Sequence, residues 1–90
     1  MNLRDLEFLA AACRTGSFIE AGKVLGTVQS NVSLRIRNLE RSLGVRLFER
    51  HRWGVVPTAK GRVLYRYAKR LAAVVARIER EIGARRGKRR

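Results

Sequence analysis

Ninety residues, 46% of them hydrophobic, are enough for one small domain with an appendage and too few for a large core or a second domain. Lysine and arginine number 21 against 7 acidic residues, a net charge of +14, so the surface favours a polyanion, nucleic acid ahead of an anionic membrane. A single cysteine and a single histidine exclude an intrachain disulfide and leave no zinc site of the usual four nitrogen and sulfur ligands.

The opening MNLRDLEFLAAACRTGSF carries charges throughout and no long apolar run. It reads as neither a signal peptide nor a membrane span, and a cytoplasmic, nucleoid-associated chain is expected. Leu3, Leu6, Leu9, Ala10 and Cys13 fall on one side of a helix over residues 3–14, ended by Gly16. Cys13 on that stripe reads as a small buried hydrophobe rather than a nucleophile. Ser17 is expected to cap a second, short helix, with Glu20 completing a capping box and Phe18, Ala21, Gly22, Val24 and Leu25 as its contacts. Gly22 in mid-helix costs about 1 kcal/mol against alanine, which points to close approach of a neighbour. Gly26 supplies a tight turn, Thr27 a cap, and a third helix runs from Val28 to Leu43, stopped by Gly44. Two helices joined in this way form a helix-turn-helix.

On a helical wheel Val32, Ile36, Leu39 and Leu43 share one face of the third helix. The opposite face is small, polar and basic: Ser30, Asn31, Ser33, Leu34, Arg37, Asn38 and Arg41. Gln29, Ser30, Asn31 and Ser33 in the first turn suit a major groove, where amides match the adenine edge and small side chains permit close approach. Leu34 suits a thymine methyl, and Arg37 and Arg41 reach phosphate or guanine. The unpaired N–H groups at the start of the helix favour phosphate as well.

After Gly44 the period changes. Val45, Leu47 and Glu49 alternate against Arg46, Phe48 and Arg50, HRWG makes a turn, and VVPT returns, giving a two-stranded wing over residues 46–57. Arg50, His51 and Arg52 lie at its tip, able to follow the backbone or enter a narrow minor groove. Trp53 is expected to pack the wing against the body. Thr58 caps a last helix, Ala59 to Ile82, in which Leu64, Ala68, Leu71, Val75, Ile78 and Ile82 form a seven-residue repeat. A helix of ~25 residues spans ~37 Å, too long for a body this small, so the series is expected to be a seam that pairs with a second copy. Residues 84–90 form a basic tail, expected to be disordered.

Other classes fit less well. A non-specific nucleoid-type DNA binder would use the same basic surface. A membrane-surface helix over residues 62–90 is disfavoured by the seven-residue period. No carboxylate pair, nucleophile–base set or phosphate loop suggests an enzyme, and no metal or cofactor is expected.

The series Ser17-Phe18, then Gln29, Val32-Ser33, Ile36, Leu39-Glu40 and Leu43-Gly44, then Leu47-Phe48-Glu49-Arg50, Thr58-Ala59 and Gly61 resembles the N-terminal DNA-binding domain of LysR-type transcriptional regulators. The resemblance spans nearly the whole chain. It implies a mainly α fold: a winged helix-turn-helix of three helices and a two-stranded wing over residues 1–57, then a dimerising linker helix over 58–83. It implies double-stranded DNA as partner, a homodimer through the linker helix, no membrane, and an interrupted-palindrome operator. Base or groove contacts then fall to Gln29, Ser30, Asn31, Ser33, Leu34 and Arg35, and wing contacts to Arg50 and Arg52. Ser17, Thr58 and Lys60 match positions that approach phosphate. Val28 departs from the serine frequent at its position, Ser30-Asn31 from a proline-containing pair, Pro57 from leucine and Lys60 from alanine. Members of that family continue into an effector-binding domain, which this chain does not include, so no effector-binding pocket is expected in it.

Overall fold

The computed structural model describes residues 1–83; the basic tail expected over 84–90 lies outside them. Its elements are α1 (Leu3–Thr15), α2 (Phe18–Leu25), α3 (Gln29–Leu43), β1 (Phe48–His51), β2 (Gly54–Pro57) and α4 (Ala59–Glu81). The architecture is the expected mainly α winged helix-turn-helix with a long C-terminal helix.

The helix starts follow local chemistry with two departures. A full capping box forms at α1, where Asn2 Oδ1 accepts from the Asp5 N–H at 2.9 Å and Asp5 Oδ2 accepts from the Asn2 N–H at 3.0 Å. At α2 the expected box is half made: Ser17 Oγ accepts from the Glu20 N–H at 3.1 Å, while the Glu20 carboxylate turns to Lys23. Thr27 does not cap α3. Its N–H is tied back to the Gly22 carbonyl at 2.8 Å, which leaves Val28 in the cap position with no side-chain acceptor. Gly22 is needed at that closure, since a Cβ there would lie 2.9 Å from the Thr27 carbonyl oxygen. Gly26, at φ 74°, takes the left-handed conformation the turn demands.

α1 runs through the middle and packs against α2, α3, α4 and β2. Neighbours on several sides bury Leu6, Phe8, Leu9, Ala11 and Ala12. The one-sided stripe expected for α1 is therefore too narrow: Phe8 is fully buried, and Leu3, at its start, is half exposed. Val32, Ile36 and Leu39 bury one face of α3 as expected, but Leu43 stays 40% exposed because the last turn extends past the residues that cover the others.

β1 and β2 pair antiparallel from Phe48↔Pro57 to His51↔Gly54, leaving Arg52 and Trp53 as a two-residue turn. The alternation expected after Gly44 fails at its start, where Leu47 and Phe48 are consecutive and both buried. The strand begins only at Phe48, and one carboxylate oxygen, Glu40 Oε2, accepts from the N–H groups of Leu47 at 2.8 Å and Phe48 at 3.2 Å. The wing is tied to the turn between α1 and α2 by the Val55 N–H, which donates to the Gly16 carbonyl at 2.9 Å.

Thr58 roots α4. Its hydroxyl donates to the Arg46 carbonyl at 2.7 Å and accepts from the Gly61 N–H at 3.0 Å, and its own N–H donates to the Leu47 carbonyl at 2.9 Å. A Cβ at Gly61 would strike that same Leu47 carbonyl oxygen, so helix and wing base meet there at backbone distance. From this root α4 packs Leu64, Tyr65 and Ala68 onto the core. The expected seam is thereby split: Ala68, only 5% exposed, is spent on its own domain, whereas Leu71, Ile78 and Ile82 remain open.

Candidate nucleic-acid interface

The side of α3 opposite its buried residues presents Gln29, Ser30, Asn31, Leu34, Arg37, Asn38 and Arg41, all exposed. Among the described residues, the side chains of Gln29 and Ser30 have no hydrogen-bond partner. Asn31 donates to Thr27 Oγ1 at 3.0 Å, which leaves its own carbonyl oxygen free, and Arg41 donates to Asn38 Oδ1 at 3.0 Å. These are solvent-side bonds within one helix and the turn before it, replaceable by a base edge. No side chain caps the helix, so the positive end of its dipole lies uncapped beside these residues.

Two residues expected on this face are placed differently. Ser33 is 8% exposed and lies at the edge of the packed side, its Oγ facing the Arg37 guanidinium at 3.5 Å. Arg35 turns inward: it donates to Asp5 Oδ1 at 3.0 Å and lies over the Phe8 ring, 4.6 Å from its centroid. It joins α3 to α1. The signal for this pairing, an acid 30 positions away, does not show on a helical wheel.

On the wing, Arg52 is exposed and has no partner among the described residues. Arg50 lies over the Phe18 ring at 5.1 Å, and Phe18 meets Phe48 edge-on, so the wing arm is braced against α2. Trp53 does not pack the wing to the body. It is 75% exposed, and its ring stacks on His51. Ser17 sits at the α2 cap with its hydroxyl proton uncommitted, and Lys60 is exposed in the first turn of α4. The Thr58 hydroxyl is occupied at both donor and acceptor.

Carboxylates near this surface are neutralised in place. Asp5 is held by Arg35, Glu20 by Lys23, Glu49 by Arg46 at 3.9 Å, and Glu40 by the wing-base N–H groups. What remains is a basic face with small and amide-bearing side chains at its centre, suited to a polyanion with readable edges.

Residues 3–62 match the bacterial regulatory helix-turn-helix proteins of the lysR family. The chain belongs to that family. Among curated lysR-family relatives it is 39% identical over 84 residues to the transcriptional regulator CbbR of Sinorhizobium medicae, covering 93% of this chain and 27% of that protein. It is likewise 39% identical over 80 residues to the regulator YofA of Bacillus subtilis, covering 89% and 28%. The chain thus spans about a quarter of the length of the curated relatives it matches. Its fold matches the BenM DNA-binding domain in complex with benA site 1 DNA, with TM-score 0.87, 34% identity, and 92% of this chain and 93% of that one covered. It also matches the CbnR DNA-binding domain–DNA complex, with TM-score 0.84, 30% identity and coverage of 90% and 93%.

The lysR-family match ends one turn into α4, and the rest of that helix carries an exposed apolar row: Val63, Tyr67, Leu71, Val74, Ile78 and Ile82. Beside the row, Leu3, Leu6 and Ala10 of α1 and Leu71, Ala72 and Val75 of α4 line a groove of about 340 Å³. No helix among the described residues is long and apolar enough to cross a membrane.

Proposed function

We propose that this chain is the sequence-specific DNA-binding module of a LysR-type transcriptional regulator, acting as a dimer on an interrupted-palindrome operator inside the bacterial cell. The start of α3 enters the major groove. Gln29, Ser30 and Asn31 meet base edges, Leu34 a thymine methyl, and Arg37 and Arg41 the flanking phosphates or guanines. Arg50 and Arg52 of the wing lie along the minor groove and its flanking backbone, with Ser17 and Lys60 on adjoining phosphates. Ser33 and Arg35 act by positioning, the first beneath Arg37 and the second by locking α3 to α1.

The observation that carries this reading is the sharp division of α3. Val32, Ile36 and Leu39 are buried, and the other side offers the exposed Gln29, Ser30 and Asn31 with Arg37 and Arg41 farther along, on a fold matched by domains solved with DNA. Two copies pair through the exposed row on α4, with Leu71, Val74, Ile78 and Ile82 central, Val75 beside them, and Leu64 and Ala68 supporting from within each protomer.

Selection from a random duplex pool, followed by anisotropy titration of the selected and a scrambled duplex at two salt concentrations, tests the proposal. Affinity should fall steeply with salt while preference for the selected, palindromic site survives. Equal affinity for both duplexes at moderate salt refutes sequence-specific reading and supports the non-specific nucleoid-type binder.

A further inference from the structure

The wing tip carries an aromatic pair that groove reading by arginine leaves unused. His51 and Trp53 flank Arg52 in the two-residue turn, their rings 4.4 Å apart and within 5° of parallel. The imidazole stacks on one face of the indole, and the residue as a whole remains 75% exposed. A large flat apolar surface held in water at a fixed angle is suited to a flat partner.

The surroundings select that partner. Arg52 projects beside the pair with no acidic partner among the described residues, and the nearest carboxylate on the strand, Glu49, faces Arg46. The pair is also fixed in place. Arg50 rests on Phe18, Phe18 meets Phe48 edge-on, and Val55 is hydrogen-bonded to Gly16, so the strands that carry the tip are braced against the start of α2 and the turn before it.

Thickness decides how the pair sits. Each ring occupies about 3.5 Å at van der Waals contact, so two stacked rings are about 7 Å thick, against a minor groove about 6 Å wide. The intact stack does not enter such a groove edge-on. We propose that the His51–Trp53 pair is an aromatic contact for duplex DNA, lying against deoxyribose on the wall of the minor groove with Arg52 on the neighbouring phosphate. This rests on the DNA-binding reading and adds to it a contact without base identity, so it raises affinity for every sequence alike.

Trp53 is the only tryptophan, so its emission in the unaltered chain reports the contact directly. Titration with the duplex recovered by random-pool selection should shield the indole from acrylamide, with the same midpoint as the anisotropy of labelled duplex. Trp53→Ala should weaken selected and scrambled duplexes by the same factor, about threefold to tenfold, and Trp53→Phe by less. The proposal is overturned if anisotropy reports binding while acrylamide access is unchanged and Trp53→Ala binds like the parent. It is overturned equally if Trp53→Ala alters preference among sequences, which would place the ring inside the groove, or if the indole is shielded before DNA is added. Absence of any anisotropy change would instead remove the DNA-binding reading on which the proposal stands.

Discussion

Replacing Glu40 by alanine tests how the wing is held. Glu40 Oε2 accepts from the N–H groups of Leu47 and Phe48, at 2.8 and 3.2 Å, where the chain leaves α3 and enters the hairpin. Hydrogen bonds to a charged acceptor contribute about 1.5–3 kcal/mol each, and two that share one oxygen do not add in full. The side chain is half buried, so a loss of about 2–3 kcal/mol is expected for Glu40→Ala. In a domain of this size each kcal/mol moves Tm by roughly 4–8 °C, so melting followed by circular dichroism should fall by about 10–20 °C. Glu40→Gln keeps one acceptor oxygen without the charge and should lose about half as much. Amide exchange should speed first at Leu47 and Phe48, the two donors left without an acceptor. A Glu40→Ala variant that melts within about 3 °C of the parent would refute the argument that this carboxylate anchors the wing.

Other outcomes follow from the same geometry. Val74→Lys and Ile78→Lys should lower self-association at least tenfold in sedimentation equilibrium, and dimers that persist at unchanged concentration would place the seam elsewhere. Arg35→Ala should cost about 1–2 kcal/mol in urea unfolding and leave sequence preference intact, whereas Asn31→Ala should alter preference at unchanged stability. Gly22→Ala should destabilise by about 1–3 kcal/mol despite alanine's helix propensity, because its Cβ meets the Thr27 carbonyl; a stabilised variant would refute the close approach. Burial pushes the Cys13 thiol up to about 11 from an ordinary 9.0. As pH rises the unfolded chain sheds this proton first, so a contribution intact below pH 9 is lost on the way to 11. Cys13→Ala should flatten that part of the stability curve, and parallel curves for the two proteins would refute the effect.

The order of helices, turn, wing and long helix was legible because each depends on local signals. Apolar residues recur at helical spacing, glycine follows each of the first three helices, and threonine precedes the last. The wheel for α3 placed Val32, Ile36 and Leu39 correctly because one body covers that face. It failed where contacts come from far along the chain. Arg35 is captured by Asp5, and Glu40 reaches across to the wing, neither of which a periodicity encodes. The same limit explains α4: a seven-residue repeat says which residues share a face, not whether that face meets its own domain, as at Ala68, or stays open, as at Ile78. Trp53 was misplaced because a tryptophan normally hides its surface in the body, and here a neighbouring imidazole covers one side of it.

The root of α4 has a mechanical consequence. The Gly61–Leu47 contact and the Thr58 bonds set the angle at which a rod of about 35 Å leaves the body. A swing of only about 5° at that hinge would carry the far end roughly 3 Å, close to the rise of one base pair. On the proposed dimer, with two copies joined along their rods, Gly61 would thus set the separation of the two DNA-facing bodies. A bulkier residue there should change which half-site spacing is tolerated while every base-facing side chain stays the same.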